Sequence, residues 1–185
     1  MDKTLLAILA AMVTVCGWYA TYYFTKKRED ETRRLESRIG FLQRQIEEFY
    51  GPLFSLTNRV LIFGTVQHNI EASGQTRLND HERDRIRVYI RDNYFRPMHD
   101  QINAIITSKL YLIEGEIPSS LYTYWLHVAQ ERIQQELWEQ LKISTHFLEG
   151  APFPRSLLND LKTGLEDRRF QYNEALKALN PTRAE

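Results

Sequence analysis

The side chains best suited to chemistry are histidines that stand close to carboxylates in the sequence. Tyr124, His127 and Glu131 are spaced at i, i+3 and i+7, so a helix would place them on one face. A histidine beside a carboxylate can act as a general base. A second pair, His99 and Asp100, could line a pocket beside a kinked helix. For both sets we favour a structural role, since a partly buried histidine commonly hydrogen-bonds a neighbour.

The sequence lacks the motifs of common enzyme and metal sites. None of its five histidines has a glutamate three residues before it, which excludes the paired Glu-x-x-His motif of di-metal bundles. His81-Glu82 is not followed by a second histidine at the spacing of zinc proteases. There is no glycine-rich phosphate loop, dinucleotide fingerprint or nucleophilic serine elbow. We therefore expect no catalytic residue, no cofactor site and no metal site, and we do not expect an enzyme.

Charge and cysteine content exclude further classes. Lys+Arg and Asp+Glu both number 24, so the formal charge is zero, which argues against a nucleic-acid partner. The single cysteine excludes a disulfide framework and any zinc site that needs several thiolates.

Residues 5–24 form an apolar run that predicts a transmembrane helix. They include 17 apolar residues out of 20 and no charge. Twenty helical residues span about 30 Å, the thickness of the hydrocarbon core. A cleaved signal peptide is the alternative, but bulky aromatic residues occupy the region where cleavage would occur. These aromatic residues belong at a headgroup layer, and they are Trp18, Tyr19, Tyr22 and Tyr23.

The flanking charges predict the orientation of this helix. Lys3 is the only basic residue before the run, whereas residues 25–44 carry seven. Positive flanks remain in the cytosol, so we expect a single-pass protein of the plasma (inner) membrane with its N-terminus outside and a cytoplasmic C-terminal domain. Lys26, Lys27 and Arg28 join the aromatic residues as predicted contacts with the lipid bilayer.

After the basic cluster, large apolar residues recur with alternating spacings of four and three from Leu35 to Phe63, the pattern of a coiled-coil seam. Beyond Gly51 this face can pack within a bundle, but residues 29–50 have no obvious partner except another copy. When the same seven-residue repeat is counted back into the apolar run, its positions hold residues with small side chains. Small side chains suit the association of helices in lipid. We predict a homo-oligomer that associates through Ala7, Thr14, Gly17, Thr21, Leu35, Ile39, Leu42, Ile46 and Phe49.

The remaining chain predicts helices with marked ends. Gly51-Pro52 predicts a kink or a restart, and Asn79 or Asp80 can cap the next helix. Pro97 falls inside a helical pattern, and a long helix from Leu121 should end near Gly150.

No segment shows the alternation of apolar and polar residues that is typical of a strand. The predicted fold is all-α, with an N-terminal transmembrane helix, a coiled-coil-like stalk and an antiparallel bundle of four to five helices. The predicted parts are an anchor (1–25), a basic stalk (26–50), a cytosolic bundle (51–179) and a frayed tail (180–185).

Several short motifs stand out along the chain after the anchor. They are Tyr50-Gly51-Pro52-Leu53, Pro97 with His99, Leu112-Ile113-Glu114-Gly115, Pro118, His127 and Pro152-Phe153-Pro154. These motifs resemble landmarks of an uncharacterised family of bacterial single-span membrane proteins with a cytosolic helical domain. The resemblance covers nearly all of the chain after the anchor. It implies a bacterial membrane, but no activity and no functional residue.

Three functional hypotheses follow from the sequence. The first, which we favour, is a membrane-anchored interaction, scaffold or sensor protein that holds an unknown cytosolic or membrane protein. The second is an effector whose associated spans perturb the bilayer, as in a toxin-like or antiviral module. The third is an enzyme, for which His99 and His127 would have to converge in one pocket with Glu114, Glu116 or Glu131.

Overall fold

A computed structural model describes residues 3–74, 77–143 and 150–180, and for residues 3–11 and Gly74 it describes the backbone alone. The described residues form helices joined by turns and short connectors, without a β-strand, so the predicted all-α class is confirmed. They form four continuous helical stretches, two of which contain irregular turns. Across the same residues, no helix combines the length and the apolar character that crossing a bilayer requires.

The first helical stretch covers α1 (Lys3–Arg44), a first π segment (Gln45–Tyr50) and α2 (Gly51–Gly74). The second covers α3 (Asp80–Ile90), a second π segment (Arg91–Phe95), α4 (Arg96–Lys109) and one 3₁₀ turn (Leu110–Leu112). The third and fourth are α5 (Ser119–Leu141) and α6 (Ser156–Leu179).

The two π segments share a cause, because each ends directly before a residue that precedes proline. The N–H of Gly51, before Pro52, donates to the carbonyl of Ile46, five residues back. The N–H of Arg96, before Pro97, donates in the same way to Arg91. Proline cannot donate to the carbonyl four residues back and its ring clashes there, so one wider turn lets the helix continue. The interruption predicted at Gly51-Pro52 is therefore a widened turn, and Gly51 keeps helical angles (φ −62°, ψ −54°).

The ends of α3 and α5 differ in how well local sequence predicts them. The side chain of Asn79 accepts the N–H of Glu82, and the Glu82 carboxylate accepts the N–H of Asn79, so the predicted cap is a complete capping box. The predicted end of α5 near Gly150 is wrong. The helix ends at Leu141, and Lys142 closes it in the left-handed conformation (φ 55°). Residues 144–149 lie outside the described part.

The chain divides into two compact units. The smaller one combines residues 1–42 with residues 171–185. In it, Arg38 of α1 donates a hydrogen bond of 2.7 Å to the side-chain oxygen of Gln171 in α6. The stretch 29–50 therefore has a partner within its own chain, which the sequence argument for another copy did not include.

The larger unit comprises residues 43–170. Its core is made of side chains that the first π segment and the helices turn inward. The fully buried ones include Phe49, Leu53, Ile102, Ile106, Leu112, Leu121, Tyr124 and Leu157. Gln45 is buried with them, and its side-chain amide donates to the carbonyl of Leu112 at 2.5 Å. This unit holds the site described next.

Candidate functional site

A cleft of about 1180 Å³ opens in the larger unit. Helices α2 to α5, the second π segment and the connector before α6 all contribute to its walls. Its lining combines apolar groups with charged and imidazole side chains, the usual character of a small-molecule or peptide site. The lining residues are Val60, Leu61, Gly64, Thr65, Gln67, His68, Asp84, Arg87, Val88, Arg91, Phe95, His99, His127, Glu131, Trp138, Pro152, Phe153 and Arg155.

His99 sits at the inner wall of the cleft, on α4 and two residues after Pro97. It is only 6% exposed, and its Nδ1 lies 2.9 Å from the hydroxyl oxygen of Tyr124, which is fully buried on α5. Burial, and then the nearby His127, lower the pKa of His99 to about 4. His99 is therefore neutral near pH 7. Burial likewise raises the pKa of Tyr124, so its hydroxyl stays protonated.

His127 is held by the connector between α5 and α6. Its Nδ1 donates to the carbonyl oxygen of Ala151 at 2.6 Å. One turn further along α5, the side-chain oxygen of Gln130 accepts the N–H of Ala151 at 2.8 Å. Two side chains of α5 therefore clamp one residue of the connector, which fixes both the connector and the imidazole ring.

The two histidines meet Glu131 in the cleft. The ring centroids of His99 and His127 lie 5.6 Å apart, and the Nε2 of His127 lies 3.9 Å from a carboxylate oxygen of Glu131. One ligand-type atom from each of the three residues lies within 4.8 Å of the other two. The ring of Phe153 packs near both imidazole rings, with its centroid 6.2 Å from that of His99 and 5.6 Å from that of His127.

Ion pairs join the helices that line the cleft. Arg87 of α3 contacts both carboxylate oxygens of Glu71 in α2, at 3.0 and 3.4 Å. The hydrogen bond from Arg87, joined by one from Gln67, lowers the pKa of Glu71. Arg132 of α5 donates to Asp100, the residue after His99. Asp100 thus ties α4 to α5, and it also lines a second, smaller cavity together with His99.

The structure brings together some of the acids and bases named from sequence and separates others. Glu131 joins His99 and His127, so the convergence that the enzymatic hypothesis required is present. Glu114 instead accepts a hydrogen bond of 2.7 Å from Arg168, and Glu116 is not among the lining residues. The grouping of Tyr124 with His127 and Glu131 on one face is only partly right, because Tyr124 points into the core towards His99.

Sequence reasoning named the convergence of His99 and His127 only as the condition for the third hypothesis, and it missed the role of Phe153. The two histidines lie on different helices and no local motif joins them. The only sequence signal for this grouping was indirect. Three landmarks of the resemblance described above bear on it, and they are Pro97 with His99, His127, and Pro152-Phe153-Pro154. All three landmarks contribute residues to this one cleft.

The predicted membrane-interface residues lie on α1, and the structure leaves all of them exposed. They are Trp18, Tyr19, Tyr22, Tyr23, Lys26, Lys27 and Arg28. Among the predicted association residues, Leu42 and Phe49 are buried in the single chain, whereas Leu35, Ile39 and Ile46 are half-buried. Thr14, Gly17 and Thr21 are exposed, and the side chain of Ala7 lies outside the described part. Contact with lipid and with a second copy stays a prediction for the exposed residues.

Comparison with known proteins adds no relative. No protein-family model, no curated protein and no solved structure matches this chain. The resemblance to single-span bacterial membrane proteins stays a prediction, and the function has to be argued from the chain itself.

Proposed function

We propose that this protein is a single-pass membrane protein that presents its helical larger unit to the cytosol and binds a partner there. The observation that carries the proposal is the exposure of the apolar part of α1. Every side chain from Met12 to Phe24 is exposed, and the large ones range from 54% at Met12 to 80% at Trp18. A contiguous apolar surface of this kind is costly in water and marks contact with a membrane or a protein.

The length of α1 suits an anchor joined to a stalk. It runs for 42 residues, which at a rise of about 1.5 Å per residue makes roughly 60 Å. About 30 Å of this suffices for the hydrocarbon core. The apolar residues 5–24 would occupy that layer, and the basic residues that follow would lie in the cytosol.

Local contacts at the end of the apolar stretch support the same arrangement. The ammonium group of Lys26 lies 5.9 Å from the centre of the Tyr22 ring, one turn away. Aromatic rings at headgroup depth with lysines just beyond them anchor a helix at the cytosolic side. The long Lys26 side chain can reach lipid phosphates while its stem lies along the ring.

We extend the proposal to self-association through the exposed face of α1. A β-carbon added at Gly17 would meet no atom within 4 Å, and the Thr21 hydroxyl donates back to the Gly17 carbonyl at 2.9 Å. Small side chains on the helix surface let two helices approach closely in lipid. Gly17→Leu should therefore reduce crosslinked dimers or higher oligomers in native membranes. If that variant crosslinks as well as the unaltered protein, the association face is elsewhere.

Membrane insertion is tested with one arginine in the proposed span and a matched arginine in the stalk. Val13→Arg places a charge near the centre of the span, which costs about 2.5 to 3.5 kcal/mol on insertion scales. Val13→Arg should weaken retention in alkaline-washed membranes, whereas Glu31→Arg, on the exposed stalk, should not. A cytosol-active reporter fused after Glu185 should work. Unaltered protein that stays in the supernatant without detergent, or an exported reporter that is active at that position, would refute the anchor or its orientation.

The cleft is the proposed place for the partner, and it can be tested with the anchor in place. Arg155 and Val88 line the cleft and are exposed, so changing them should not disturb the core. Arg155→Glu and Val88→Glu should reduce the proteins crosslinked to the intact chain in native membranes. Arg85→Glu, an exposed change on α3 that is not in the lining, serves as the control. An unchanged set of crosslinked proteins in both cleft variants would exclude the cleft as the partner site.

A further inference from the structure

The ring nitrogens of His127 can be assigned from its hydrogen bond to the connector. A backbone carbonyl only accepts, so the bond from Nδ1 to the Ala151 oxygen places the proton on Nδ1. In the neutral ring the lone pair then belongs to Nε2. That is the nitrogen that lies 3.9 Å from the Glu131 carboxylate.

A related argument leads to Nε2 of His99. Its Nδ1 lies 2.9 Å from the Tyr124 hydroxyl oxygen, so Nε2 is the nitrogen left for a ligand. With a ligand on Nε2, the proton on Nδ1 would be donated to that hydroxyl oxygen, which can itself donate to the backbone oxygen of His99 at 3.4 Å. Histidines that bind metals typically have this arrangement, in which the other ring nitrogen donates to a carbonyl or another oxygen and holds the ring in place.

We propose that His99, His127 and Glu131 bind a divalent transition-metal ion of the Zn²⁺ class. Two imidazole nitrogens and one carboxylate oxygen are a donor set that zinc accepts, and three protein ligands leave one position for water or a ligand in the cleft. The expectation of no metal site rested on local spacing, which cannot detect ligands brought together from α4 and α5.

The distances require a small closure that the site can supply. With metal bonds of about 2.0 to 2.1 Å, tetrahedral ligand atoms lie roughly 3.4 Å apart. The three atoms now lie within 4.8 Å of one another, so each has to move by about an ångström or less. Glu131 is the ligand free to move, because its side chain is 52% exposed while that of His127 is only 12% exposed.

Electrostatics and access favour a cation at this position. His99 and His127 offer ring nitrogens that can bind a cation. Glu131 adds one negative charge. A second cavity of about 290 Å³ is lined by His99 and Glu131, which also line the large cleft, so two of the three donors border open space on two sides. An ion and its exchangeable ligand therefore have both room and a path.

The test is a Zn²⁺ titration of the untagged full-length protein in detergent after treatment with a chelator. Calorimetry should show one bound equivalent. Glu131→Gln and His127→Gln should each weaken binding by about 10-fold or more. Matched controls are Glu136→Gln, an exposed glutamate on the same helix, and His81→Gln, an exposed histidine on α3, which should leave the affinity unchanged. Equal affinity in all four variants, or no saturable binding, would overturn the site.

Spectroscopy of the unaltered protein keeps the proposal testable if a variant fails to fold. Zn²⁺ X-ray absorption should show two imidazole nitrogens with oxygen in the remaining positions, and Co²⁺ should give the visible bands of a four-coordinate site. Coordination by oxygen alone would refute the assignment. Binding in detergent does not depend on membrane insertion, so the metal site and the proposed anchor can fail independently.

Discussion

The hydroxyl oxygen of Tyr124 lies 2.9 Å from Nδ1 of His99, and both side chains are buried, at 0% and 6% exposure. This contact joins α5 to α4 across 25 residues of sequence. It positions the His99 ring at the wall of the cleft and therefore determines which of its nitrogens can take a ligand.

Tyr124→Phe is expected to destabilise the fold, because it leaves the buried Nδ1 of His99 without its hydrogen-bond partner. The loss should be about 1 to 3 kcal/mol in the free energy of unfolding. Tyr122→Phe removes the same hydroxyl from an exposed ring on the same helix, so it should change stability little. Urea unfolding followed by tryptophan fluorescence measures both. Equal midpoints for the two variants would show that the His99–Tyr124 bond contributes nothing.

Gly51→Ala is expected to destabilise the first π segment. A β-carbon at this position would lie 2.6 Å from the carbonyl oxygen of Ile46, which is backbone and cannot turn aside. We expect a loss of about 1 to 3 kcal/mol, the usual cost of overpacking.

Gly64→Ala is the matched control for that change. It lies in the same helix, and a β-carbon there meets no atom within 4 Å. Alanine should stabilise the helix at this position by up to about 1 kcal/mol. Thermal unfolding of the two variants should therefore shift in opposite directions. A shift of the same sign in both would mean that the widened turn relaxes around alanine.

Gly164→Ala is expected to disturb the packing of α6 against the first π segment. The added β-carbon would lie 2.8 Å from Cδ1 of Tyr50 and closer still to Cε1. Tyr50 is 7% exposed and packs edge-on against Phe49 at 5.1 Å, so its ring has little room to move. We expect a loss of about 1 to 3 kcal/mol. Adding Tyr50→Leu should recover part of it, and strict additivity in this double-mutant cycle would contradict the contact.

Arg87→Gln is expected to reduce stability near pH 7 by about 0.2 to 1 kcal/mol, the usual range for an exposed ion pair. The hydrogen bond from Arg87 lowers the folded-state pKa of Glu71 below its ordinary value of 4.5. This stabilisation is present above the unfolded-state pKa and is lost as pH falls through the lower folded-state value. The difference between unaltered protein and variant should therefore shrink below about pH 4.5.

The control for this pH dependence is Arg85→Gln, an exposed arginine on the same helix. Urea midpoints measured from pH 7 to pH 3 should run parallel for Arg85→Gln and the unaltered protein. A difference for Arg87→Gln that persists unchanged at pH 3 would mean that the Arg87 side chain stabilises the fold by packing alone.

The sequence by itself determined the features that depend on neighbouring residues. Helical periodicity, the capping box at Asn79 and the disturbed turns before Pro52 and Pro97 are local, because backbone hydrogen bonds and proline sterics reach only four or five residues. The all-α class follows from these. The membrane anchor predicted from the apolar run in α1 and its basic flank is also a local argument, and it stays a prediction.

Tertiary structure alone decided where the chemistry lies. Periodicity places His127 and Glu131 on one helix face, but it cannot bring in His99 from α4 or Phe153 from the connector. Their meeting depends on how α4 and α5 pack, and on the clamp that the α5 side chains place on Ala151. The tertiary structure also decided that α5 ends at Leu141. A non-glycine residue in the left-handed conformation is tolerated where the surrounding structure compensates, and no local pattern predicts that compensation.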